Sequence, residues 1–189
     1  MAAAYEQTYR SVVTVSVNNA GGQVQTGTGF IVDSSQGLVV TSSSLFTNSF
    51  DVVAANLRRC DAIGAGILSA SANSDIAIVQ LDNIINGVYT SSGLEITVPS
   101  AVVFSDSDAI VYGEECYTIA TLAHEEDVLP GLMNEGIITK PFNTHTSAFY
   151  FYDSQRQRET AFFDGSFEYL IQTGVPVNGG NAGAPLFNA

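Results

Sequence analysis

Apolar positions along this chain recur in short runs or every second residue, and never over long stretches with the 3.6-residue period of a helix. Such segments lie at residues 11–17, 29–32, 38–41, 52–55 and 76–81, and a second series at 101–104, 116–120, 136–139, 149–152 and 169–172. Val, Ile, Thr, Phe and Tyr dominate them, side chains that suit a pleated, half-buried surface. Clusters rich in Asn, Gly, Ser and Asp punctuate the runs at residues 18–22, 33–37, 71–73 and 178–181. Strands at this spacing predict a closed antiparallel barrel or a sandwich rather than alternating strands and helices, and any helix is expected to be short. The stretch 81–99, LDNIINGVYTSSGLEITVP, is weakly periodic and is expected to join two similar halves, residues 1–95 and 96–189.

Composition narrows the function classes. The 189 residues are 46% hydrophobic, enough for a sizeable core. Six basic against nineteen acidic residues give a net charge of −13, and Lys140 is the single lysine. A surface this acidic repels phosphate backbones and anionic lipid, so neither nucleic acid nor membrane is expected as a partner. The charge serves solubility or recognition of a basic partner. The N-terminal MAAAYEQTYR lacks the charged-then-apolar layout of a secretory signal, and no apolar run reaches the roughly 18 residues of a membrane helix. Cys60 and Cys116 are far apart, with no CxxC and no nearby His, which argues against a zinc site. They form one disulfide or remain two buried thiols in a reducing compartment. An intracellular or virion-associated setting is expected, with no cofactor and no metal.

Three stretches, in order, carry chemistry. Residues 27–46 read GTGFIVDSSQGLVVTSSSLF, residues 74–82 SDIAIVQLD, and residues 171–188 IQTGVPVNGGNAGAPLFN. Together they resemble the HtrA-like branch of the trypsin-like serine proteases. That family has a GSGF turn and strand followed by T-x-x-H, a D-[IL]-A strand, and a nucleophile loop close to I-Q-T-D-A-x-I-N-x-G-N-S-G-G-P-L. Gly27, Gly29, Phe30 and Thr41 match the first motif, with Ser44 where the family has its histidine. Asp75 stands in the place of the catalytic aspartate. Gln172, Thr173, Asn178, Gly180, Asn181, Gly183, Pro185 and Leu186 match the third motif, with Ala182 at the nucleophile position. The resemblance covers residues 8–188 and is thin at 83–100 and 141–167. It implies an all-β fold of two six-stranded antiparallel barrels. The family chain runs on past the nucleophile loop, so the second barrel is expected to be incomplete here. The given chain is then part of a longer one, or cleaved, or completed by strands from a partner chain.

Acyl transfer by this machinery needs a nucleophile, a base to take its proton, and a carboxylate to orient the base. Alanine cannot attack a carbonyl, and the Ser44 hydroxyl cannot accept a proton near neutral pH. Removing a triad member leaves only about 10³- to 10⁴-fold catalysis over water. His124 and His145 both fall in expected loops and do not replace the missing base. The backbone of Gly180, Asn181 and Ala182 is the candidate for an oxyanion-hole-like set of N–H groups. Ala184 stands where the family has glycine, which matters if that position requires positive φ. A cleft beside 169–172 would hold an extended peptide by strand addition, or else be filled. The aromatic residues Phe149 to Tyr152, Phe162, Phe163, Phe167 and Tyr169 form packing surface or a binding face, with Arg156 and Arg158 in a solvated loop between them. The expected function is that of a pseudoprotease, a protein-binding or structural module in an assembly such as a capsid. The alternative is a serine endopeptidase in an inactivated, C-terminally trimmed form.

Overall fold

The computed structural model describes residues 5, 8–19, 22–46, 50–56, 63–71, 75–91, 93–124, 127–143, 149–152, 158–161 and 170–188. The first six strands are β1 (Val12–Asn19), β2 (Val24–Asp33), β3 (Leu38–Thr41), β4 (Phe50–Asn56), β5 (Ile63–Ser71) and β6 (Ile76–Leu81). They close into an antiparallel barrel in the order β1-β2-β3-β6-β5-β4. Val13, Val15 and Val17 fill it from β1, meeting Ile31, Val39, Ile63, Val79 and Leu81 from the other strands. Between these positions Val12 and Thr14 point the other way and are also buried, because the second half of the molecule covers that face. This two-sided burial explains why residues 11–17 read as a near-continuous apolar run.

Glycine at alternate β2 positions sets the barrel's tightness. A Cβ on Gly29 would lie 2.7 Å from Val39 Cγ1 and 2.9 Å from Val15 Cγ2, and one on Gly27 would lie 2.6 Å from Leu45 Cδ1. Both strands opposite therefore press against bare backbone. The β2–β3 turn is held by Asp33, whose carboxylate accepts the Ser35 Oγ (2.6 Å), the Ser35 N–H (2.8 Å) and the Gln36 N–H (3.2 Å). These donors, the Ser35 hydroxyl first, hold the Asp33 carboxyl below the ordinary aspartate range.

The stretch 81–99 was expected as a simple connection. It folds instead as a three-stranded sheet of β7 (Ile84–Ile85), β8 (Val88–Ser91) and β9 (Leu94–Thr97). Ile84, Tyr89 and Ile96 pack onto the barrel core. Strands of two to four residues are too short to show a period, which is why the pattern hid them. The expected boundary at residue 95 falls inside β9. Residues 101–104, expected as a strand, are irregular. The Val102 N–H donates to the Ile31 carbonyl (2.9 Å), while Val103 and Phe104 are 93% and 71% exposed. Their β-branched and aromatic composition suits a strand, but no neighbouring strand pairs with them among the described residues.

The second half contains β10 (Glu115–His124), β11 (Asp127–Asn143), β12 (Phe149–Tyr152), β13 (Arg158–Ala161), β14 (Leu170–Thr173) and β15 (Leu186–Asn188). Four of them form an open, curled sheet in the order β14-β11-β10-β15, and β12 pairs with β13 in a separate hairpin. The fold is thus all-β and of the double-barrel type, with the second barrel incomplete among the described residues. No described helix is long and apolar enough to cross a membrane. The centre of the first barrel carries its stability: Ile31 is fully buried, and Ile31→Ala is expected to cost about 3 kcal/mol, measurable as a lowered denaturant midpoint at unchanged slope.

Candidate active-site region

The loop carrying Ala182 lies on the seam between the two halves. Gly180 and Gly183 have φ of +91° and +83°, conformations suited to glycine. The loop is tied internally by Asn181 N–H to the Asn178 carbonyl (3.1 Å) and Ala184 N–H to the Asn181 carbonyl (2.8 Å). Gly180 and Ala182 N–H groups take no such backbone partner among the described residues. Gly183 is pinned by space as well as by dihedral: a Cβ there would sit 2.5 Å from Thr41 Oγ1 and 2.7 Å from the Ser42 nitrogen.

Thr28 anchors the loop to the first barrel. Its N–H donates to the Ala182 carbonyl (2.8 Å) and its hydroxyl to the Gly180 carbonyl (2.7 Å). The same oxygen accepts the Thr121 N–H of β10 (2.8 Å), and the Thr28 carbonyl accepts the Thr41 hydroxyl (2.7 Å). Thr121 in turn shares a 2.8 Å hydroxyl contact with Thr14. Sequence reasoning treated Thr28 only as a position inside GTGF. The signal that marks it is the alternation Gly27-Thr28-Gly29, with bare backbone turned to the core and a hydroxyl to the seam.

The other two motif positions meet at one carboxylate. Ser42 to Phe46 form a turn over the end of β3, and Asp75 follows it in space with φ of +49°. Asp75 Oδ1 accepts the Ser42 hydroxyl (2.8 Å), the Ser44 N–H (2.9 Å) and the Ser43 hydroxyl (3.2 Å). Ser42 and Ser44 hydroxyls are themselves 2.5 Å apart. Ser44 and Asp75 are therefore brought together, and Ser42, which touches both, abuts Gly183 beside Ala182. Ser44, Asp75 and Ala182 are all exposed. Asn181 adds an unusual feature, since both polar atoms of its carboxamide are buried and unpartnered. His145 lies outside the described residues, as do Cys60, Arg156, Phe162, Phe163, Phe167 and Tyr169. His124 ends β10 at the turn into β11.

A separate cavity of about 140 Å³ lies under the second sheet, lined by Asp106, Ile110, Glu114, Cys116, Ile138 and Phe187 among others, and by none of Ser44, Asp75 or Ala182. Cys116 is a free thiol. Burial, and secondarily the Glu114 charge, push it above the ordinary cysteine range. Among the described residues no three His, Cys, Asp or Glu side chains group to hold a metal.

The family model described as Trypsin-like peptidase domain matches residues 27–189, and the chain belongs to this family. It is 27% identical over 162 residues to a probable periplasmic serine protease do/HhoA-like of Haemophilus influenzae, covering 86% of this chain and 28% of that protein. It is 28% identical over 174 residues to the periplasmic serine endoprotease DegP of Escherichia coli, covering 90% and 30% respectively. The chain thus spans under a third of these relatives' length. The solved HtrA-type protease AlgW with tripeptide shares the fold, with a TM-score of 0.72 at 18% identity, covering 99% of this chain and 50% of that one.

Two predictions follow from the seam and from the thiol. Thr28→Val keeps the branched shape but strands the buried Thr121 N–H and the Gly180 carbonyl. It is expected to lower unfolding free energy by about 2 kcal/mol in a urea titration. Cys116 is expected to resist alkylation by iodoacetamide at neutral pH in the native protein and to react once urea unfolds it, as read by peptide mass mapping.

Proposed function

We propose that this chain is a catalytically inactive trypsin-like peptidase homologue that binds an extended peptide or protein segment along the seam without cleaving it. The observation that carries the reading is the identity of the groups at the three converging positions. Ala182 has no nucleophilic atom. Ser44 offers Asp75 a backbone N–H where a general base would offer a ring nitrogen, and the hydroxyls of Ser42 and Ser43 complete the set on the same carboxylate oxygen. A carboxylate oxygen taken up by two hydroxyls and an amide, with no imidazole at position 44, orients no base there, so the proton relay of acyl transfer has neither start nor finish.

The binding half of the reading draws on what remains. Gly180 and Ala182 N–H groups, flanking Asn181 in a loop fixed by Thr28, are suited to donate to a peptide carbonyl. The edge strands β14 and β15 offer backbone for strand addition by a partner. The acidic surface favours a partner with basic residues and steers its approach. In an assembly the module would serve as a recognition or structural part.

The test uses three proteins and an unstructured protein substrate. The unaltered chain is expected to give no cleavage and no covalent labelling by a serine-directed phosphonate, while binding extended peptides reversibly. The double substitution Ser44→His with Ala182→Ser is expected to raise cleavage by about 10²-fold or more over the unaltered chain, and Ala182→Ser alone by far less. Cleavage by the unaltered chain itself would overturn the proposal of inactivity. Absence of peptide binding would remove the recognition role and leave a structural one.

A further inference from the structure

Tyr5, Thr8 and Tyr9, ahead of β1, meet the second sheet on the face that carries Tyr117 and Ile119, and their contacts are specific. The Tyr5 hydroxyl donates to the Gly131 carbonyl (2.9 Å). Gly131 sits where the β10–β11 register slips, since Ala120 pairs with Leu132 but Leu122 with Leu129. The bulge leaves Pro130 and Gly131 out of the ladder, so a carbonyl is there to be taken. Thr8 Oγ1 and the Tyr117 hydroxyl are 3.3 Å apart, and Tyr5 stacks on Tyr9 with ring centres 5.2 Å apart. Tyr5 and Tyr9 then pack on a cluster of Val12, Tyr117 and Ile119 with Met133 and Phe187.

Phe187 connects this face to the seam. Its ring stacks on Tyr117 at 5.2 Å and 24°. It belongs to β15, a three-residue strand that among the described residues pairs only with β10, through Cys116, Tyr117 and Thr118. Three residues of ladder on one side are a weak hold, so the position of β15 leans on the Tyr117–Phe187 stack. The loop that carries Gly180 to Ala184 enters β15 directly through Pro185, which is buried. On its other side that loop is held by Thr28.

We propose that the N-terminal segment is a latch for the Ala182 loop. With Tyr5 and Tyr9 docked, Tyr117 and Phe187 are clamped, β15 stays in register, and the loop is held between Thr28 in front and β15 behind. With Tyr5 and Tyr9 lifted, by a protease cut or by capture of the aromatic residues, Tyr117 loses packing, the Phe187 ring stacked on it loosens, β15 frays and the loop loses its rear support. The inference concerns loop order alone and holds whether or not the loop carries out or has lost catalysis.

Hydrogen exchange followed by mass spectrometry tests it on the whole chain. Tyr5→Ala with Tyr9→Ala is expected to speed exchange at residues 178–188 by about tenfold, with β3 and β6 unchanged. Tyr5→Phe, which removes only the bond to Gly131, is expected to give the same pattern at smaller amplitude. Faster exchange confined to residues 5–19, or spread evenly over both halves, would overturn the latch. Should the double substitution prevent folding, Tyr5→Phe decides alone: no change at 178–188 refutes the coupling.

Discussion

Thr28 joins three parts of the chain through one residue. Its hydroxyl accepts from β10 and donates to the loop ahead of Ala182, while its N–H holds the carbonyl of Ala182 itself. Thr28 and Thr121 are buried, so their polar groups must find partners or cost about 1–3 kcal/mol each. Only a hydroxyl that both donates and accepts can serve β10 and the loop together. The seam is therefore not a contact between two finished surfaces but a shared hydrogen-bond set, and the geometry at positions 180–183 is inherited from the first barrel as much as from the second.

That arrangement separates shape from chemistry. The loop conformation depends on Gly180 and Gly183 at positive φ and on Thr28, none of which takes part in a proton transfer. Nothing at Ala182 is asked to hold the loop by its side chain. Likewise Asp75 has structural employment as the cap of the Ser42–Ser44 turn. The conformation of the seam loop and of the Ser42–Ser44 turn therefore rests on residues other than the side chains at positions 44 and 182.

Much of this was legible in the sequence, and the misses have physical causes. The strands β3, β6 and β12 match their expected limits because turn residues bracket runs of branched or aromatic side chains. β5 was missed because Gly64, Gly66 and small Ala and Ser residues carry little strand signal, and pairing with β4 and β6 supplies what composition does not. Residues 101–104 went the other way, a strand-like composition with no ladder to join. At the site, Ser44, Asp75 and Ala182 stand out in the sequence because their neighbours follow a pattern with fixed spacing. Thr28, Ser42 and Thr121 do not, because bonds between residues 33, 93 or 152 positions apart leave no local periodicity.

The two buried faces of β1 have a consequence for modularity. Val13, Val15 and Val17 close the first barrel while Val12 and Thr14, one step out of phase, are sealed by β10. A strand buried on both sides has no solvent face to fall back on. The first barrel taken alone would show water Val12 and Thr14, and the second sheet Tyr117, Ile119 and Thr121. The two halves are therefore not separable parts: a foreign second sheet would have to reproduce Tyr117, Ile119 and Thr121 in phase before the first barrel could accept it.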